Sequence, residues 1–370
     1  MQNREFAFAP KIEYKLVAER SEANLSSLQF PTWCSILELV RTAFTACGGK
    51  EVPQRKFGKA APTRRSLGVG GESRRSKPKK NPEKNIGSNH ILILGEENFF
   101  KKSIMRIDHI FDTGSSKEDS YLIRDNLFAV FDGFNSLDGF DDRNGLTGGL
   151  IAATIAKDTF SGNEGTLKNL AMEATRKIRE KILDSKIDTK NKDSLWGTIF
   201  AAVRIKSNSF EWAQLADSLI LVIFKDNSHK LLVEDFDHDG EVLTIWKQLA
   251  AQRKENIRKL IAEPLAKLRA KTNETYGVLN GEESVESFLK TGEENLQNVK
   301  HILLFTDGLM IPKEDPLGKD DWKLFVDLFL QGGLENVKNF VRNLQKDDPK
   351  CWKYPRYKQY DDITALSLTF

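Results

Sequence analysis

The sequence predicts an α+β fold, with strands collected in runs and helices gathered between them. Three observations carry that expectation. Residues 127–131 and 302–306 are apolar runs of the length of a strand buried on both faces, and each leads into an Asp-Gly pair. Residues 196–234 break into four short strand-like segments separated by turn residues. Strands and helices alternate too rarely for a parallel βαβ sheet.

The first 104 residues read differently from the rest. They hold nineteen Lys and Arg against ten Glu and no Asp, a net charge of +9, which leaves −6 for the remainder of a chain whose total is +3. Residues 34–46 suit one short helix. Residues 50–86 are rich in Lys, Arg, Gly, Pro and Ser and bury too little apolar surface to offset their ordering entropy. The expected organisation is a basic, largely disordered extension over 1–104 and a self-contained domain over 105–370. A basic nucleic-acid surface does not describe that acidic main domain.

Within the domain, residues 107–111 and 120–123 read as the first strands. Arg124-Asp125-Asn126 turns the chain into the strand at 127–131. Helices follow at 150–160 and 166–185, with apolar residues at helical spacing. The segments 196–205, 209–216, 218–224 and 230–234 suggest an antiparallel meander. A polar helical region runs over 241–271 with a break near Pro264. Residues 272–298 read as loop with one helix at 283–289. After the strand at 302–306, residues 312–350 form an irregular, helical insertion, and residues 363–368 close the chain as a strand.

Several function classes are excluded. No apolar run approaches a membrane span, and no secretion signal is present at the N-terminus. Three widely spaced cysteines, Cys34, Cys47 and Cys351, oppose a disulfide framework and fit a reducing, cytoplasmic interior. The five histidines show no paired ligand spacing for zinc. Residues 235–240 imitate the start of a calcium loop. Its twelfth position is Trp246 rather than an acid, so an acidic turn before a helix is the better reading.

Carboxylates recur at strand ends: Asp119 before 121–123, Asp132 after 127–131, Asp307 after 302–306, and Asp361 and Asp362 before 363–368. Oxygen-rich sets of this kind suit hard divalent cations such as magnesium or manganese.

Glu118-Asp119, Val130-Phe131-Asp132-Gly133, Gly197-Thr198, Ala216-Asp217-Ser218, Phe305-Thr306-Asp307-Gly308 and Asp361-Asp362-Ile363-Thr364, in this order, resemble the metal-dependent Ser/Thr protein phosphatases of the 2C type, the PPM superfamily. The resemblance covers about 105–370. It implies two stacked antiparallel sheets flanked by helices on both outer faces, with the acids meeting in a cleft at one edge. It implies hydrolysis of phosphoserine and phosphothreonine by a metal-activated water, with two Mg2+ or Mn2+ ions and no protein nucleophile. Asp132 would bridge the ions. Asp119 and the carbonyl of Gly133 would serve one, Asp307 and Asp361 the other, and Glu118 would act through a bound water. Asp132 and Asp307 would thus carry catalysis. Asp217 matches a position read as a structural turn.

Two departures stand out. Phe134 replaces the usual His, and Gly114 stands where a phosphate-binding Arg is common, leaving Lys117 as the nearby cation for substrate. The resemblance implies a phosphoprotein substrate and a monomer without membrane partners. The alternatives are a pseudophosphatase that binds or regulates with the same fold, and a phosphatase for small phosphoesters.

Overall fold

The computed structural model describes residues 90–93, 104–234 and 237–370, all within the compact unit Lys80–Phe370. The expected helix at 34–46 and the disordered stretch at 50–86 lie outside the described residues, as do Asp235 and Phe236 of the acidic turn.

Two antiparallel sheets form the middle of the fold. The first has five strands in the order β3 (Ser120–Arg124), β4 (Leu127–Phe134), β5 (Gly197–Ile205), β6 (Ser209–Leu215) and β9 (Lys290–Asn295). The second has six, in the order β1 (His90–Ile93), β2 (Ile104–Asp112), β11 (Ile363–Thr369), β10 (Val299–Phe305), β7 (Leu219–Phe224) and β8 (His229–Leu231). Strand β1 pairs with β2 upstream of the expected start at residue 105.

The apolar run of β4 is continuous because both of its faces are covered. Side chains alternate across a strand. Phe128 and Val130 enter the core between the sheets with Ile220, Val222, Ile302, Leu304 and Leu366. Leu127, Ala129 and Phe131 point the other way, into a layer made by α1 (Gly148–Phe160) and α2 (Leu167–Asp184). There Phe131, Phe160 and Phe200 meet ring to ring at 5.1–6.3 Å, each ring contributing about 1.5–3 kcal/mol by burial. The outer face of the second sheet is covered by α6 (Trp322–Asp347), whose Phe325, Phe329, Val337 and Val341 pack on Leu221, Leu303 and Phe305. The result is the expected helix–sheet–sheet–helix sandwich. Among the described residues no helix is long and apolar enough to cross a membrane.

Local chemistry explains the helix ends. Thr147 and Thr166 cap α1 and α2, each accepting an N–H three residues on. Asp321 does the same for α6.

Two expectations are corrected. The meander is broken, because β5 pairs with β6 whereas β7 belongs to the other sheet. Ala216, at φ 52°, starts the crossing. Strands β5 and β7 are apolar on both faces, so alternation gave no sign of which sheet each one joins. Residues 290–295, read as loop, form β9 on the edge of the first sheet, paired with β6. That strand, Lys-Thr-Gly-Glu-Glu-Asn, is polar as befits an exposed edge and shows no apolar period. The helical region 241–271 breaks at Ile261, near Pro264 as expected, and also around Arg253 and Asn256, which have φ of 56° and 54°. It yields α3 (Gly240–Ala251), α4 (Ile257–Leu260) and α5 (Ala262–Ala270). Pro264 sits in the first turn of α5, where its missing N–H removes no helical hydrogen bond.

Candidate active site

The stacking brings the C-terminal ends of β4 and β10 and the N-terminal ends of β3 and β11 to one edge of the sandwich. Each of these ends carries acids. Asp119 precedes β3, Asp132 lies in the last turn of β4, Asp307 follows β10, and Asp361 and Asp362 precede β11. Glu118 and Asp119 are buried, whereas Asp132, Asp307 and Asp361 keep part of their surface toward solvent. These three lie at the edge of the sandwich rather than in its core.

Backbone contacts set their positions. The Asp132 carbonyl accepts the hydroxyl of Thr198 at 2.7 Å across the β4–β5 ladder. A β-carbon on Gly133 would run into the carbonyl of Gly149, at the start of α1, so only glycine lets β4 and that helix approach. Glu118 lies against the same end of α1, where the N-terminal dipole favours a carboxylate. Asp119 accepts the Thr306 hydroxyl at 2.8 Å, and Thr306 accepts the Thr364 N–H at 3.1 Å. One threonine thereby ties three strand ends together. Arg342 from α6 donates to the Asp361 carbonyl at 2.7 Å and to the Asp112 carboxylate at 3.1 Å.

Asp362 has a different task. Its carboxylate accepts the backbone N–H groups of Gly114 at 2.6 Å, Lys117 at 3.0 Å and Glu118 at 2.6 Å. It organises the loop that carries Glu118 and Asp119, with both oxygens occupied.

The acids crowd one another. The Asp132 carboxyl is held well above the usual carboxylate range, first by burial and then by repulsion from Asp119, Asp307 and Asp361. Asp119 is raised by burial and by Asp362 and Asp361, against the hydroxyls of Thr364 and Thr306. Asp307 is pushed up to about 8 by burial, then by Asp361 and Asp217. Glu118 is raised by burial, against a hydrogen bond from Thr147. Asp119, Asp307 and Asp361 thus lie within electrostatic reach of Asp132.

Three groups at the site were not assigned to it from the sequence. Lys358 donates to Asp361 Oδ1 at 2.8 Å. Burial works against its charge, but the carboxylates of Asp361, Asp132 and Asp307 outweigh it and raise its pKa. Asp217 faces the cluster from the crossover between the sheets. It is itself raised by burial, against the pull of His238. Arg269 of α5 lies over the Phe134 ring, 4.1 Å from its centroid. Only the Ala-Asp-Ser motif hinted at any of them in the sequence; the two cations belong to polar stretches without a motif. Lys117 is exposed with φ 62°, and its N–H is committed to Asp362. Gly114 leaves no room for a side chain, since a β-carbon there would run into the backbone of Asp361 and Tyr360.

The donor set has the chemistry of a divalent-cation site: hard oxygens, partly buried, with negative charge well in excess of the one lysine. Among the described residues, however, no three of His, Cys, Asp or Glu stand close enough to grip one ion. Binding therefore requires the carboxylates to draw inward, which a cation favours by relieving their repulsion.

No protein-family model matches the sequence, and no curated protein matches it. Solved structures do. Serine/threonine phosphatase Stp1 from Staphylococcus aureus matches at 16% identity and TM-score 0.45, over 75% of this chain and 99% of that one. The Mycobacterium tuberculosis serine/threonine phosphatase PstP/Ppp matches at 16% identity and TM-score 0.44, over 72% and 98%. The catalytic domain of PstP in complex with two manganese ions matches at 14% identity and TM-score 0.43, over 72% and 97%. At these identities and scores the likeness adds no weight to a functional reading, which rests on the carboxylates themselves. These three solved structures are of serine/threonine phosphatases, the class that the sequence motifs of this chain resemble.

Proposed function

We propose that the chain is a metal-dependent phosphoprotein phosphatase acting on phosphoserine and phosphothreonine. The observation that supports this reading is that Asp119, Asp132, Asp307 and Asp361, from four strand ends, lie near enough at one edge of the sandwich to raise one another's pKa values. Magnesium or manganese bound there would supply Lewis acidity toward water and toward the phosphoryl oxygens.

The remaining work falls to the chain. Asp132, central among the acids, would share its carboxylate between two ions. Asp119 and the Gly133 carbonyl would hold one, and Asp307 with Asp361 the other. Glu118, beside the start of α1, would orient a water. Phe134 can neither donate nor accept a proton, so the leaving oxygen must take its proton from solvent. General acid help of this kind is worth about 10²–10⁴-fold, and its lack points to a slow enzyme.

A second reading is favoured by the same residues. With Lys358 engaged on Asp361 and Phe134 beside the acids, the fold would serve as a pseudophosphatase that binds phosphoproteins without turnover. Manganese content and phosphopeptide hydrolysis, measured together on the full chain, separate the two. Metal-stimulated hydrolysis that is lost in Asp132→Asn supports the enzyme. Bound manganese with no turnover of any phosphopeptide or aryl phosphate supports the binding module.

A further inference from the structure

A phosphomonoester carries up to two negative charges, and a site floored by carboxylates must hold it with cations. Gly114 offers no side chain, and Lys117 stands exposed with its backbone turned to Asp362. Besides Lys358, which is engaged on Asp361, two arginines stand near the site. Helices α4 and α5, inserted between β8 and β9, contribute Arg258 and Arg269. The Arg269 guanidinium lies 4.1 Å from the centroid of Phe134, two residues beyond Asp132. That of Arg258 lies 5.3 Å from the centroid of Tyr357, immediately before Lys358. The two rings thus flank the acids, one on the β4 side and one on the β11 side, and each carries an arginine.

These arginines differ from the structural ones. Arg204, Arg342 and Arg356 each hold a carboxylate at 2.8–3.1 Å. Among the described residues neither Arg258 nor Arg269 has a carboxylate at ion-pair distance, and neither guanidinium makes a hydrogen bond to the protein. They are also close enough to repel one another. The pKa of Arg258 is lowered first by partial burial and then by Arg269, with Tyr357, Asp361 and Asp239 acting the other way. Two like charges with no carboxylate at ion-pair distance repel until an anion lies between them. Each guanidinium presents a planar fork that fits two oxygens of a phosphate.

We propose that Arg258 and Arg269 form the phosphate-binding subsite of this cleft, gripping the phosphoryl oxygens of a phosphoserine or phosphothreonine side chain in place of the cation that position 114 cannot carry. Its catalytic meaning rests on the phosphatase reading above; phosphate binding itself does not.

The test uses the full chain, loaded with manganese. Inorganic phosphate affinity is measured by calorimetry, and KM and kcat with a phosphopeptide, for wild type, Arg258→Gln/Arg269→Gln and Arg269→Lys. In the double variant, phosphate affinity should fall at least about tenfold and KM rise by a similar factor, with manganese affinity unchanged. Arg269→Lys should fall between, since lysine keeps the charge and loses the fork. Phosphate affinity equal to wild type in both variants, with native circular dichroism, overturns the subsite even if the enzyme is active. Wild-type protein that binds no phosphate overturns it as well. If the wild type turns over nothing yet loses phosphate binding in the double variant, the subsite stands and the phosphatase reading falls.

Discussion

The ammonium of Lys358 lies 2.8 Å from Asp361 Oδ1 and feels the carboxylates of Asp132 and Asp307 as well. It does there, as a tethered charge, part of what a divalent ion would do. Opposite charges this close and partly screened attract by about 6 kcal/mol at an effective dielectric of about 20, so an incoming ion must compete with it. Lys358→Met should therefore strengthen manganese binding by about tenfold or more, read by calorimetry without reference to activity. Equal affinity in wild type and variant would show that Lys358 does not share the ion's position.

Asp362 is expected to act on the loop and not on the metal. Replacing it with Ala strands the amides of Gly114, Lys117 and Glu118, at about 1–3 kcal/mol for each that finds no water. Asp362→Asn keeps one acceptor oxygen and should cost less than half as much. Urea unfolding of the two variants gives the comparison. Similar losses in both would mean that the charge, and not the geometry of acceptance, matters.

Restoring an arginine at position 114 should fail. Any β-carbon there meets the backbone of Asp361 and Tyr360, and overpacking of this kind costs about 1–3 kcal/mol. Gly114→Ala should lower the melting temperature and weaken manganese binding together, because Asp361 must shift. A variant as stable as wild type would show that the loop yields freely.

His301 predicts a specific pH dependence of stability. Its ring stacks edge-on against Phe329 and bonds Thr369 at 2.9 Å. Burial first, then Lys300 and Arg106, bring its pKa down to about 4 from 6.5. The unfolded chain takes up this proton below about pH 6.5 while the folded one refuses it until about pH 4, so stability falls as pH drops through that window and is level above it. The difference in unfolding midpoint between wild type and His301→Gln should be constant above about pH 7 and close steadily toward about pH 4. Parallel profiles over that range would assign the acid sensitivity to other groups.

Much of this was legible in the chain itself. Residues 127–134 and 299–308 announce buried strands that end in an aspartate, because an apolar run stopped by Asp-Gly is a signal contained in adjacent residues. The same holds for α1, α2 and β11, and so for the placing of Asp119, Asp132, Asp307 and Asp361 at strand ends. Only the tertiary structure decided what faces those acids. Lys358 sits in a polar loop, Arg269 on an inserted helix 135 residues after Phe134, and Asp217 at a crossing between sheets that looks from sequence like a hairpin turn. Whether such a group meets the cleft depends on how two sheets stack and on where an inserted segment folds back. Those outcomes are set by packing between distant surfaces, which the local pattern of apolar and polar residues does not encode.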